Sequence, residues 1–597
     1  MQLRKALVSL GCATIALMGG GTAMAEEASR MDELTGLPVV AEPSVGLSGE
    51  WLFHKGDDMK WKEPGIPDHG WQKVKLPAYW EEHSEYSADK AYGWFRKTIF
   101  IGEEFRGKRL VLGLGKIDDC DEAYFNGTLV GKTGSMPPKY ETAYNEKREY
   151  EVPDGLVNYG KPNTIAVRVY DGTGGGGMYA DLGAAVGTAG PGKLVLGEED
   201  MKWWREAKFG VFIHWGLYAL PGRGEWVMWN EQMDADEYAK LKDRFKAENY
   251  DPNEWARLAK DAGMRYMVLT SRHHDGFSLW DSPASYGHFD AMHSAAKRDL
   301  VREYVDAVRK AGLRVGLYYS PLDWRFPGYF FPKMYRSSAL DLKKQTYLQV
   351  RELLTEYGPL DILWYDGGGD SWLSHGGAVG SGKKYDGPPL WEPQRLNRMV
   401  RTLAPRIIMT DRSGMELDFS SEEGGETGRT KTRRPWERCS TIAGAWGYQK
   451  GVAPRPFADI IRELAVTVVR GGNLLLNVGP MPDGRIEPSQ ATRLREVGVW
   501  LGKYGESIYG TRGGPVEAGE WGGATHKGNT VYLHIVKWPA GGDLAIPQLP
   551  GKVRSVKVLT PGTVKMEYGV ASIKVIPDAV ARGEADTVIR FDCEPPL

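Results

Sequence analysis

The chain has 597 residues, 76 Lys+Arg against 78 Asp+Glu for a formal charge of −2, and 42% hydrophobic residues. Such a length suggests about three or four domains with real cores, so disulfide stapling is not needed. The near-balanced charge excludes a basic footprint for nucleic acid and a polybasic membrane patch, and glycine without a Gly-X-Y period excludes collagen.

Residues 1–25 read as an export signal. Arg4 and Lys5 are followed by an apolar run over 6–18 and a small-x-small site at Ala23-Met24-Ala25. The run is too short to span a bilayer, and no other stretch approaches a span, so an exported protein, periplasmic or extracellular, is expected. Beyond Cys12, the widely spaced Cys120, Cys439 and Cys593 offer no zinc spacing and read as small buried groups or idle thiols.

Short strand-like runs then occupy 94–100, 109–114, 122–125 and 164–169, with Asn126-Gly127 as a two-residue hairpin turn. An all-β sandwich is expected over 44–195, closed by a glycine-rich linker around 172–197. From about residue 200 the texture changes. Apolar runs at 209–213, 266–269, 315–319, 360–364, 407–409 and 473–478 alternate with amphipathic segments. Two of these, near 255–262 and 299–311, end at Gly263 and Gly312 as helices do. Repeated β-helix-β units over 200–508 predict a (β/α) TIM-like barrel. Strand patterns return at 530–536, 553–558 and 587–591, which predicts a C-terminal β-sandwich over 509–597.

Polar residues gather at the carboxyl ends of the predicted barrel strands, where barrel enzymes hold their sites. They are His214, His273-His274-Asp275, Asp323, Asp366 and Asp411-Arg412. No Gly-x-Ser-x-Gly elbow supports a serine nucleophile. Adjacent His273 and His274 on a strand would point to opposite faces, so no metal and no cofactor is expected. Neutral His, Arg and Trp suit a hydroxylated substrate, and paired carboxyl groups suit cleavage of a glycosidic bond. Trp364 lies two residues before Asp366 and therefore on the same strand face.

The region 202–508 strongly resembles family 29 glycoside hydrolases, the retaining α-L-fucosidases. The matching motifs are Lys208-Phe209-Gly210-Val211-Phe212-Ile213-His214-Trp215-Gly216, Glu225-Trp226, Ser271-Arg272-His273-His274-Asp275-Gly276, Gly316-Leu317-Tyr318-Tyr319-Ser320, Trp364-Tyr365-Asp366-Gly367 and Gly472-Asn473-Leu474-Leu475-Leu476-Asn477-Val478. The N-terminal segment resembles the sugar-binding jelly-roll of family 2 glycoside hydrolases. Its carriers are Gly93-Trp94-Phe95-Arg96-Lys97, Asp118-Asp119-Cys120-Asp121-Glu122 and Asn126-Gly127-Thr128-Leu129-Val130-Gly131.

The barrel resemblance implies a retaining exo-enzyme that removes terminal α-L-fucose from oligosaccharides or glycoprotein glycans. Asp366 would be the nucleophile and Glu423 the acid/base, with Glu422 and Glu426 as alternatives. His214, Glu225, Trp226, His273, His274, Tyr319, Trp364 and Arg412 would bind the sugar. Trp436-Glu437 reads as structural support. The stretch Arg429, Lys431, Arg433, Arg434 raises binding of acidic glycans as an expectation. An α-L-galactosidase-like enzyme and a non-catalytic fucose lectin are the rival readings. Linkage preference and oligomeric state are not legible in the chain.

Overall fold

The computed structural model describes residues 32, 34–35, 44–82, 90–106, 110–172, 174–180, 184–188, 194–332, 334–367, 391–424 and 434–594. The export signal with Cys12, Glu426, and Arg429, Lys431 and Arg433 lie outside the described residues. No helix among the described residues is long and apolar enough to cross a membrane.

The central domain is one parallel sheet of eight strands: β1 (Phe209–Ile213), β2 (Tyr266–Arg272), β3 (Arg314–Tyr319), β4 (Ile362–Tyr365), β5 (Ile408–Met409), β6 (Ser420–Glu423), β7 (Trp436–Thr441) and β8 (Asn473–Val478). Their spatial order is β5-β4-β3-β2-β1-β8-β7-β6. The outer strands meet at an isolated parallel bridge between Thr410 and Phe419. There Asp418 N–H donates to Met409 O at 3.1 Å and Asp411 N–H to Phe419 O at 3.0 Å, so the sheet curls back on itself. This is the TIM-like architecture that the alternating pattern predicts.

Six of these strands coincide with apolar runs. The other two, β6 and β7, do not: they read Ser-Ser-Glu-Glu and Trp-Glu-Arg-Cys-Ser-Thr, and their inward positions carry polar side chains. A strand whose core face is built for chemistry shows no hydrophobic period.

Two predicted helices form where expected. One is α1 (Pro252–Asp261), capped by Asp251 and ended before Gly263 at φ 82°. The other is α2 (Leu300–Lys310), capped by Asp299 onto Arg302 N–H and followed by Gly312 at φ 74°. Gly accepts the left-handed backbone at a helix end without a Cβ penalty.

Strand alternation sorts the barrel core. Phe212, Val268, Tyr318, Ile362, Trp364, Ile408 and Leu475 pack inside, while Val211, Leu269, Leu317, Tyr319, Leu363, Tyr365 and Leu476 pack outward against the helices. The helix Glu198–Ala207 joins the interior cluster through Met201, Trp204 and Ala207. The Trp204 and Phe419 ring centroids lie 4.7 Å apart, tilted, and the Trp204 carbonyl accepts Asn473 Nδ2–H at 2.8 Å, which closes the floor of the barrel.

Outside the barrel, two antiparallel sheets built from strands between Ser44 and Thr188 share one buried core that includes Trp51, Phe95, Leu112 and Ile165. The Asn126-Gly127 turn joins Cys120–Phe125 to Thr128–Thr133 with φ of 49° and 82°, as a primed hairpin turn requires. Beyond Arg512 two further antiparallel sheets share a core that includes Leu533, Val575 and Phe591. Cys120, Cys439 and Cys593 are buried free thiols.

Because Trp204 fills the barrel floor and is 1% exposed, Trp204→Ala is expected to cost about 3–5 kcal/mol in barrel stability. The check is a lowered urea midpoint read by tryptophan fluorescence, with a smaller change following Trp203→Ala on the less buried side.

Candidate active site

A pocket of about 210 Å³ opens at the carboxyl ends of the strands. Its wall includes His214, Trp226, His273, His274, Tyr318, Trp364, Asp366, Arg412 and Glu423. Inward parity carries β1 on to His214 and β4 on to Asp366, which is why residues far apart in sequence converge here.

Arg412 organises the carboxylates. Its Nη1 donates to Asp366 Oδ1 at 2.9 Å, its Nη2 to Glu423 Oε2 at 2.9 Å and its Nε to Ser421 Oγ at 2.7 Å. The guanidinium carbon lies 4.8 Å over the Trp364 ring, a cation–π distance. Both Ser421 and Glu423 reach Arg412, so on β6 they share the inner face and Glu422 falls on the opposite one. The geometry therefore favours Glu423 over Glu422 as the second carboxylate. Its side chain is 43% exposed, at the mouth, whereas Asp366 is 17% exposed, deeper in.

Burial would raise the Asp366 pKa. Arg412, His274, the Tyr318 hydroxyl and the Gly367 N–H outweigh it and hold this carboxyl well below the usual range. Tyr318 donates at 2.7 Å, Gly367 N–H at 2.7 Å, and His274 Nε2 stands 3.5 Å away. Asp366 is thus an anion.

The histidines are the reverse case. Burial pushes His214 down to about 3, His274 down to about 4 and His273 well below its ordinary value. All three are neutral near pH 7. The amide oxygen of Asn477 lies 2.7 Å from His214 Nδ1, and the Asn477 Nδ2–H donates to Trp446 O at 2.7 Å. That orientation makes His214 Nδ1 the donor and leaves its Nε2 as an acceptor. His273 Nδ1 is buried and meets no hydrogen-bond partner among the described residues. A ligand hydroxyl would satisfy it.

The structure brings together eight of the ten expected site residues and corrects two. Tyr319 does not face the pocket: it lies on the outward side of β3 and donates to Gln349 Oε1 at 3.0 Å. Tyr318 takes the inward place, paired in register with Trp364. That pairing is the signal that separates the two tyrosines. Glu225 is buried behind the wall, where its Oε2 accepts Gly447 N–H at 2.7 Å. Its carboxyl thus fixes the Trp446-Gly447 turn, and burial raises its pKa.

His273 and His274 also differ from expectation. Their ring centroids are 4.0 Å apart in one pocket, because β2 ends at Arg272 and strand alternation no longer separates them. With Asp366 they place three ligand-type atoms within 4.8 Å, so geometry alone does not forbid a cation there. Arg412 already supplies positive charge to Asp366.

Sequence reasoning missed Phe212, Cys439 and Trp446, which complete the wall. Cys439 sits on β7, one of the two strands without a hydrophobic signal. Of the basic stretch after Glu423, Arg434 contacts Glu416 at 3.4 Å; farther along, Arg438 contacts Glu463 at 2.7 Å.

Inside the barrel, Glu437 accepts Trp364 Nε1–H at 3.0 Å and the Tyr266 hydroxyl. Burial pushes its carboxyl up to about 7 against these donors. It sets the plane of Trp364 and, through it, the platform under Arg412.

Comparison with known proteins agrees with this geometry. The family model described as alpha-L-fucosidase matches residues 195–506. Tissue alpha-L-fucosidase of Mus musculus is 33% identical over 378 residues, covering 57% of this chain and 78% of the mouse protein. Alpha-L-fucosidase isoenzyme 1 from Paenibacillus thiaminolyticus superposes with a TM-score of 0.58 at 34% identity, covering 67% of this chain and 99% of that one. An alpha-L-fucosidase of Bacteroides thetaiotaomicron, solved as a trapped covalent intermediate, gives 0.59 at 26% identity over 68% and 98%.

Removing the hydroxyl that donates to Asp366 should lift its pKa, so the acid limb of the pH–rate profile of Tyr318→Phe moves to higher pH. Tyr319→Phe should leave that limb in place and cost only about 1 kcal/mol of stability through its lost hydrogen bond. A pH series on the two variants, with a thermal melt of each, checks both.

Proposed function

The chain belongs to the α-L-fucosidase family of glycoside hydrolases, and from that membership we propose residue roles for a retaining exo-α-L-fucosidase. The observation that carries the assignment is the pair of carboxylates, Asp366 and Glu423, held on one guanidinium inside a pocket sized for a single sugar ring. The shared guanidinium brings both carboxylates to one sugar-sized pocket, and family membership supports the retaining arrangement, in which the two carboxyl groups stand about 5–5.5 Å apart.

Asp366, kept ionised by its surroundings, attacks the anomeric carbon. The bond from that carbon to the glycosidic oxygen breaks as Glu423 delivers its proton to the leaving oxygen. The product is a β-linked fucosyl ester on Asp366. Glu423, now a carboxylate, takes a proton from water, whose oxygen adds to the anomeric carbon as the ester bond breaks. α-L-fucose leaves and Asp366 is an anion again. Neutral His214, His273 and His274 hold the sugar hydroxyls by donating and accepting hydrogen bonds, and Trp226 and Trp364 supply apolar faces. Arg412 spreads its charge over both carboxylates, easing the return of Asp366 to the anion.

The substrate is a fucosylated oligosaccharide or glycoprotein glycan. We read the antiparallel sheets flanking the barrel as β-sandwich domains. The N-terminal one resembles a sugar-binding jelly-roll, supported by its shared core and primed hairpin. Residues 1–25 are proposed to direct export.

Hydrolysis of an aryl α-L-fucoside tests the roles. Asp366→Ala should fall to background, and Glu423→Ala should lose about 10²–10⁴-fold in turnover. Added azide should restore Glu423→Ala with α-L-fucosyl azide as product, and Asp366→Ala with the β anomer. Full activity in Glu423→Ala would move the acid/base to Glu422 or Glu426. A silent wild type on aryl fucosides and on fucosylated glycans would overturn the reading.

A further inference from the structure

We propose that His288, Asp290 and His293, on the loop that follows β2, form a binding site for a borderline divalent cation of the zinc class. One ring nitrogen from each histidine and a carboxylate oxygen from Asp290 lie within 4.8 Å of one another. Two imidazoles and a carboxylate are a ligand set that zinc accepts, with water in the fourth position. None of the three lines the pocket described above.

The carboxylate is the fixed member. Asp290 is fully buried, bridges in parallel to Ser278, and accepts the backbone N–H of His293 at 3.1 Å. The imidazoles are the adjustable members. His293 is 47% exposed and His288 is exposed, so both are open to ions in solution. His288 adopts φ 50°, uncommon for a residue with a Cβ, and its ring lies with its centroid 4.6 Å from that of His293.

His293 Nδ1 already stands 2.9 Å from Asp290 Oδ1. Two ligand atoms about 2.1 Å from one tetrahedral ion are about 3.4 Å apart. Closing the widest pair, within 4.8 Å, to that separation needs a movement of at most about 1.4 Å, which rotation of exposed rings supplies. Two cations reach the loop through backbone oxygens and not through the proposed ligands: Lys242 Nζ lies 3.4 Å from the carbonyl of His288, and Arg325 Nη1 donates to the carbonyl of Tyr286 at 3.1 Å.

The test uses the full chain, stripped with a chelator and titrated with Zn²⁺ alone, then with Co²⁺ for its visible spectrum. The expected result is uptake of one equivalent, with the band intensity of a four-coordinate site. His288→Ala and His293→Ala should each weaken binding by about tenfold or more, with an unchanged metal-free melting midpoint showing that the fold is intact. Asp366→Ala should bind as wild type does, since it alters only the imidazole–carboxylate group in the pocket. Undiminished binding by a His288→Ala/His293→Ala variant would overturn the proposal. So would loss of binding in Asp366→Ala, or no uptake by the wild type.

Discussion

Arg412 ties both carboxylates of the site to the closing strands of the barrel. Its guanidinium keeps its charge at any working pH, and a charge so largely enclosed must be paired. Asp366 on one side and Glu423 on the other provide the pairing, Ser421 takes the remaining nitrogen and Trp364 lies beneath. These are also contacts between the strands least firmly joined by backbone. β5 and β6 meet through the single Thr410–Phe419 bridge and a few flanking hydrogen bonds. The side chain that follows β5 grips two residues of β6. Closure of the sheet and placement of the second carboxylate are therefore one interaction seen from two sides.

The charges around that cation are sorted by burial. Asp366, next to Arg412, is stabilised as an anion, whereas burial outweighs the pull of Asp366 on His214 and His274 and keeps these two and His273 neutral. The pocket thus presents one ionised nucleophile, one cation and a set of uncharged hydrogen-bonding groups. That balance suits a neutral polyol. Fixed imidazole charges would pair with Asp366 and blunt it, so low histidine pKa values and a reactive carboxylate depend on each other. Glu437, deeper in the barrel, is set apart by lacking a cation; its donors are neutral and its pKa is pushed up instead.

The large features of the molecule were legible in the residues, and the reasons differ by element. β1, β2, β3, β4, β5 and β8 are buried on both faces, so they appear as apolar runs. Helix ends at Gly263 and Gly312 follow from backbone chemistry. His214, Trp364 and Asp366 were legible because regular alternation runs into them from strongly apolar strands. Glu423 could be singled out only through family resemblance, since its strand carries no apolar signal. Tyr318 and Tyr319 are identical in type, and only the register of β3 against β4 distinguishes them.

What sequence reasoning misplaced shares one property: it lies where regular structure stops. His273 and His274 converge because their strand ends one residue earlier, and alternation is a rule about strands. Glu225 turns to a loop backbone because buried N–H groups there need an acceptor. β6 and β7 have inward faces of Ser, Glu and Cys because those faces serve the pocket and its floor. A barrel must break its own hydrophobic pattern to hold polar groups at its mouth, so the pattern fails at the site for the same physical reason that the site can work. Conflict between a local rule and the observed position is then informative by itself. At the mouth it marks Tyr318, His273 and His274 around Asp366, the same groups that the electrostatics identify independently.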